Sequence, residues 1–270
     1  MFRMTELAAK IWGMAANEYF QYAVFTIITL LVSLATIKIY SAEASAFRRY
    51  LDGINPLLVI FILFIVGIIL FSFLMQDGKF AVYRKGNYKG ILTAAALTIP
   101  FAVVVVTVDM KYPFPEKMNV PYPNSIFFYP VMGYIVEILF HLLPFGLLYL
   151  SLVKLLSGVD ESWIVWISLL GAALIEPVFQ VAFAGPEESR GILIFVGIHL
   201  FLFNIVQLML FVKFDFLSMY SFRLFYYLVW HIIWGYARLS ILFLVSTGNF
   251  RQPFIPLANT LRQGFLSYAT

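Results

Sequence analysis

Two ionisable side chains interrupt a strongly apolar stretch of this sequence, VEILFH at residues 136–141. Glu137 and His141 are four residues apart, a spacing that places two side chains on one face of a helix. A carboxylate and an imidazole so placed can hydrogen-bond to each other or bind one ligand together. Glu176 and Gln180 repeat this spacing further along the chain. The sequence therefore predicts paired polar side chains on two helices.

All three histidines of the protein lie in long apolar runs, as do two of its fourteen acidic residues. Such side chains are costly in a bilayer core unless they are paired or hydrated, so they mark a functional or pairing site. The set comprises Glu137, His141, Glu176, His199 and His231. We expect the set to line one interior cavity. Hydrogen bonds that merely join helices are the structural alternative.

The composition explains why these groups must lie inside a membrane protein, since 62% of the residues are apolar and only 12% are charged. The prediction is an all-α polytopic bundle of about seven transmembrane helices, forming a single transmembrane domain over residues 1–270. The predicted spans are roughly 20–40, 55–75, 90–108, 126–150, 163–183, 191–213 and 220–246. An amphipathic N-terminal interfacial helix precedes them at residues 5–18.

Several classes of protein are excluded by what the sequence lacks. It contains no cysteine, so neither a disulfide framework nor a thiolate site is available. Its lysines and arginines are scattered and form no nucleic-acid motif, so the expected partner is the lipid bilayer and no nucleic acid. Lys and Arg divide equally between the two predicted sides, so the orientation in the membrane is not predicted.

Residues in the core 126–246 resemble three motifs of the CAAX protease and bacteriocin-processing (CPBP) family of intramembrane endopeptidases. In VEILFH, Glu137 and Phe140 match the Glu and Phe of the first motif, while Val136 replaces its first Glu and His141 replaces its Arg. FVGIH, ending at His199, matches the second motif, Phe-x-x-x-His. HIIWG, starting at His231, approaches the third, His-x-x-x-Asn or Asp, with glycine in the final position.

The resemblance implies a glutamate-dependent endopeptidase without a cofactor, or a pseudoprotease, in a prokaryotic cell membrane. A Glu would act as general base on a water, and His residues with an Asn or Asp would orient that water and stabilise the oxyanion. Because Val136 replaces the first Glu, either Glu137 or Glu176 would serve as the base. By helix order Glu176 is an alternative to His199 for the second motif. A hydrophobic or lipidated peptide is the implied substrate.

Two further hypotheses come from the residues themselves. One is a noncatalytic membrane scaffold or chaperone that keeps the bundle and its polar contacts. The other is a metal-dependent enzyme or carrier, because three histidines and two glutamates could supply a zinc or iron sphere. We favour a metal-free site, since no two histidines have a spacing that fixes both on one helix as ligands.

Overall fold

The structure is a computed structural model that describes residues 16–76, 78–114, 119–184 and 189–239. Over these residues the protein is all-α, with eight helices and no strand. The helices are α1 Ala16–Ile39, α2 Ala44–Leu51, α3 Pro56–Leu74, α4 Tyr88–Lys111, α5 Ser125–Leu155, α6 Glu161–Ala182, α7 Arg190–Lys213 and α8, which starts with Phe216–Tyr227 and continues through Leu228–Trp234.

Six of these helices are long and apolar enough to cross a membrane: α1, α3, α4, α5, α6 and α7. They correspond to the first six predicted spans, and the protein is a multi-pass membrane protein by helix length and hydropathy. The seventh predicted span, 220–246, begins in α8 and ends outside the described residues. Most of the predicted interfacial helix at residues 5–18 also lies outside them.

Large apolar side chains on the outer faces of the helices agree with a lipid environment. Leu34 on α1, Ile99 on α4 and Val178 on α6 are each about 60% exposed, as are many similar residues of the bundle. In water such a surface would drive association, whereas lipid tails solvate it. The polar side chains described below point the other way, into the bundle.

The helix α5 changes geometry in its middle, where residues Glu137–Leu142 form a π-helical turn. Pro144 follows this turn immediately. A proline inside a helix has no N–H to donate, and its ring collides with the carbonyl group four residues earlier, here that of Phe140. Widening the preceding turn relieves this collision. Pro144 thus explains why the segment that carries Glu137 and His141 departs from the regular α-helix.

The N-terminal ends of α4 and α8 approach each other closely at Gly90. A Cβ atom at this position would lie 2.3 Å from the Ser218 hydroxyl oxygen, so only glycine allows the contact. Asp215 caps α8 by accepting from the Ser218 backbone N–H at 2.7 Å, and it also accepts from the side chain of Asn87 at 2.9 Å. These contacts fix the start of α8 and hence the height of its polar residues.

The other end of α4 is joined to α8 through Asp109, which is only 3% exposed. Its carboxylate accepts from the Trp234 indole N–H at 2.7 Å and from the Phe114 backbone N–H at 2.8 Å. The Arg238 guanidinium lies 3.4 Å from the same carboxylate and donates to the Phe114 carbonyl oxygen. We call Asp109, Phe114, Trp234 and Arg238 the α4–α8 latch.

Candidate functional site

Arg223 of α8 connects two buried carboxylates inside the bundle. Its Nε donates to Glu137 Oε1 at 2.7 Å, and its Nη2 donates to Glu176 Oε2 at 2.9 Å. Nη1 adds a second contact to Glu176, at 3.2 Å to Oε1, so the guanidinium binds this carboxylate through two nitrogens. All three side chains are at most 3% exposed. One cation therefore serves two acids from two other helices, α5 and α6.

His141 lies between the same two carboxylates. Its Nδ1 is 3.5 Å from Glu137 Oε2, and its Nε2 is 3.4 Å from Glu176 Oε2. Nδ1 is also 3.3 Å from the Val136 carbonyl oxygen. The spacing of four residues brings Glu137 and His141 together across the π-helical turn.

Helix α7 contributes two amides to the group. Gln207 donates from Nε2 to Glu137 Oε1, and its own Oε1 accepts from Arg223 Nη2 at 3.3 Å. Asn204 donates to the Ala173 carbonyl oxygen at 3.3 Å, and its side chain adjoins His141 and Glu176. Both amides are fully buried. We call Glu137, His141, Glu176, Asn204, Gln207 and Arg223 the buried polar cluster.

Three polar atoms of the buried polar cluster have no hydrogen-bond partner among the residues that the structure describes: Glu137 Oε2, His141 Nε2 and Asn204 Oδ1. Buried polar groups are normally satisfied, because leaving one unpaired costs about 1–3 kcal/mol. Three such atoms in one cluster mark a place where a proton, a water or a substrate group would be stabilised. This is the feature of the bundle that points most directly to function.

His199 has different neighbours, although it lies on the same helix as the two amides. Its Nε2 is 3.0 Å from the Tyr226 hydroxyl oxygen, and its ring packs against Phe101 and Phe195. His199 is 8% exposed and does not face lipid. Its polar contact is with Tyr226, outside the buried polar cluster.

His231 also has separate partners, near the end of α8. Its ring stacks on Tyr129 at 4.3 Å between ring centres, and its Nδ1 is 3.2 Å from Asn119 Oδ1. Asn119 lies against Gly235, where an added Cβ atom would be 3.2 Å from the Asn119 side chain. The glycine found where the third motif has an amide or acid thus leaves room for an amide from the loop before α5.

Replacing Asn119 with alanine tests this arrangement. We expect the free energy of unfolding to fall by about 1 kcal/mol, because His231 loses its hydrogen bond to the Asn119 side chain. Denaturant titration in detergent micelles would measure the change. Adding Gly235→Asn to this variant returns an amide to the same region and should recover part of the loss. Equal stabilities for the protein and its Asn119→Ala variant would contradict the assignment.

The predicted site residues therefore divide into three groups. Glu137, His141 and Glu176 converge in the buried polar cluster, whereas His199 and His231 each have other partners. All five are at most 9% exposed, so none faces lipid. Within the described residues, the structure brings three members of the predicted set together and gives His199 and His231 separate contacts.

The residues present are poorly suited to a metal ion. The carboxylates of Glu137 and Glu176 face opposite nitrogens of the His141 ring, so the three groups do not point at one position. The Arg223 guanidinium already binds both carboxylates and would repel a metal cation. Among the residues that the structure describes, no group of three or more His, Asp or Glu side chains could hold a metal ion.

The sequence interpretation did not identify Arg223, Tyr226 or Asn119 as partners of the predicted site residues. Arg223 lies in the first turn of the predicted span 220–246, where a cation at the membrane surface is ordinary. Two acids buried in earlier spans without a matching cation were the available signal, since buried charges are paired. Asn119 lies in a proline-rich loop, and nothing in its spacing connects it to His231.

Comparison of the chain with protein-family models, with curated proteins and with solved structures gives no match.

Proposed function

We propose that this chain is a divergent intramembrane endopeptidase of the CAAX protease kind, which cleaves a membrane-associated peptide with Glu137 as the general base. The observation that carries the proposal is Oε2 of Glu137, a buried carboxylate oxygen that lies next to an imidazole and has no hydrogen-bond partner in the described ranges of the structure. A base needs an unoccupied oxygen that faces the water it activates. The motif resemblance around Glu137 supports the same assignment.

The other contacts of the buried polar cluster suit this role. Arg223 and Gln207 hold Glu137 through Oε1, which leaves Oε2 for a water molecule. In the proposed reaction, Glu137 takes a proton from water while the water oxygen attacks the peptide carbonyl carbon. The C–N bond then breaks, and Glu137 returns the proton to the departing amine nitrogen. His141 and Asn204 are the groups available to donate hydrogen bonds to the oxyanion.

Access to the site requires a change in the bundle, because Glu137 and His141 are fully buried. The helices around them present apolar side chains to lipid. A peptide that approaches through the membrane would therefore be hydrophobic or carry a lipid group. This is the substrate class that we propose.

We also propose that α8 is a seventh membrane span. Residues 216–239 are helical, and at ~1.5 Å per residue they are long enough to cross a hydrocarbon core of ~30 Å. Its charged residues, Arg223 and Arg238, are both buried against other helices. The polar character that sets α8 apart from the other six spans is thus directed into the bundle.

A noncatalytic scaffold is the second candidate, and one observation favours it. Both carboxylates of the buried polar cluster are bound to Arg223, and all the members are nearly inaccessible. A closed network of this kind can specify how helices pair without having any catalytic role. In that case the residues that resemble the motifs would belong to a fold that has no peptidase activity.

The Glu137→Gln variant separates the two candidates. We expect it to lower the rate of peptide cleavage by about 100-fold or more, because the amide keeps the shape but cannot accept the proton. The assay uses the full chain in nanodiscs with fluorogenic peptides that carry a hydrophobic or prenylated end. Glu18→Gln, a change at the start of α1, is the matched control and should leave the rate unchanged.

If the Glu137→Gln variant still cleaves the peptides, either Glu176 is the base or a contaminating peptidase is responsible. Loss of cleavage in Glu176→Gln would identify Glu176 as the base, whereas unchanged cleavage would indicate a contaminant. Absence of cleavage by the unmodified protein across the peptide set would favour the scaffold. In either case circular dichroism and thermal unfolding would establish that the variants are folded.

A further inference from the structure

The titratable groups of the buried polar cluster come from three helices. Glu137 and His141 belong to α5, Glu176 belongs to α6 and Arg223 belongs to α8. Tyr227 of α8 lies beside the cluster, where its hydroxyl oxygen accepts from Arg223 Nη1. Tyr220 of α8 is a further titratable neighbour of Glu137, and Tyr226 of α8 is one of Glu176. Helix α7 adds only the neutral amides Asn204 and Gln207. The charges that can vary here are therefore those of two carboxyl groups and one imidazole, since arginine stays protonated and tyrosine stays neutral near pH 7.

The net charge of the buried polar cluster is not zero unless the cluster binds an additional proton. Two ionised carboxylates, one guanidinium and a neutral imidazole sum to one negative charge. An uncompensated charge in a low-dielectric interior is expensive, and such a group responds by binding a proton. One additional proton on Glu137, Glu176 or His141 brings the sum to zero.

The hydrogen bonds of His141 also require one additional proton. A neutral imidazole carries one N–H, but both ring nitrogens face a carboxylate oxygen, at 3.5 Å for Glu137 and 3.4 Å for Glu176. With only one hydrogen on the ring, the nitrogen lone pair would face an oxygen lone pair in one of these two contacts, and the two would repel each other. An additional proton on the ring or on the facing carboxyl group supplies the missing hydrogen.

The unpartnered atoms are an independent indication of the same ligand. Glu137 Oε2 and His141 Nε2 are completely buried and have no hydrogen-bond partner within the described part of the chain. They belong to the two contacts between His141 and the carboxylates, one of which lacks a hydrogen when the imidazole is neutral. We propose that Glu137, His141 and Glu176 share one exchangeable proton, which makes the buried polar cluster a proton-binding site within the membrane domain.

This site has a consequence that does not depend on peptide cleavage. With its proton the cluster is neutral and the closed packing of α5, α6 and α8 is favoured. When the proton leaves, one negative charge remains unbalanced, and the closed packing becomes less stable as pH rises. Binding of this proton would thus make the opening of the bundle depend on pH.

Infrared difference spectroscopy of the full chain in nanodiscs tests the proposal. As pH is raised, we expect the loss of either the carbonyl stretch of a protonated carboxyl group or the ring modes of an imidazolium. The band should shift in D2O, and its loss should accompany the release of one more proton per chain than the Glu137→Gln and Glu176→Gln variants release. Glu137→Gln and Glu176→Gln each remove one negative charge, so the cluster is balanced without the proton and both variants should lose this titration.

The Glu18→Gln variant is the control and should titrate like the unmodified protein. Thermal unfolding at each pH would show that the proteins remain folded. A folded protein whose bands at every pH equal those of the Glu137→Gln and Glu176→Gln variants would overturn the proposal. So would a titration that neither Glu137→Gln nor Glu176→Gln alters. These outcomes are separate from those of the cleavage assay, because the spectra require no substrate.

Discussion

Replacing Arg223 with leucine is expected to destabilise the protein by ~3–5 kcal/mol, because the change leaves buried carboxylates without their cation. Glu137 and Glu176 would lose the hydrogen bonds from Nε, Nη1 and Nη2 together. Unfolding by denaturant in mixed micelles would measure the difference. Arg223→Lys should be intermediate, since an ammonium keeps the charge but cannot bind two acids with a planar fork.

A triple variant provides the control for this result. Arg223→Leu combined with Glu137→Leu and Glu176→Leu removes all three formal charges, and we expect it to be more stable than Arg223→Leu alone. Replacing a complete buried ion network by apolar residues is often neutral, whereas breaking it is costly. If Arg223→Leu alone had no effect, the three side chains would not form the network described.

The second large effect is expected at the α4–α8 latch. Asp109→Leu should destabilise the protein by ~3 kcal/mol or more, since Arg238 loses its carboxylate and two N–H groups lose their acceptor. Hydrogen exchange of the backbone at residues 228–239 should increase, because the end of α8 would no longer be held to α4. Asp109→Asn keeps an acceptor oxygen, so this variant should lose less stability than Asp109→Leu.

Exchange in Asp109→Leu that rises equally throughout the bundle would mean that the latch supports the whole fold and not one end of α8. Unchanged exchange at residues 228–239 would show that other contacts hold this segment. Arg223→Leu is a useful comparison, because its loss should affect α5, α6 and α8 together.

The sequence was sufficient to predict the class of fold and the local part of the site. Composition and run lengths predicted an all-α membrane protein, and the structure has six long apolar helices at the predicted positions. The spacing of Glu137 and His141 predicted that they share a helix face, and both occur in the buried polar cluster. These features depend on residues close together in the chain, where helical periodicity is a strong signal.

The pairing between helices was not predictable in the same way. His199 and His231 lie well inside their helices, as Glu137 does, but position along a helix does not determine which neighbour a side chain faces. Helix α8 begins at Phe216, four residues earlier than the predicted span, which moves Arg223 to ~10 Å from the start of the helix. That shift turns an apparent surface cation into the partner of two buried acids.

The order of the helices along the chain gives the charge pairing a consequence for biosynthesis. Glu137 and Glu176 are synthesised before Arg223, because chains are made from the N-terminus and α8 follows α5 and α6. While the ribosome is still adding α7, the two acids have no guanidinium to bind and must be protonated, hydrated or sheltered by the insertion machinery. Arrival of α8 then completes the ion pairs in a single step, so assembly of this bundle must wait for its last described helix.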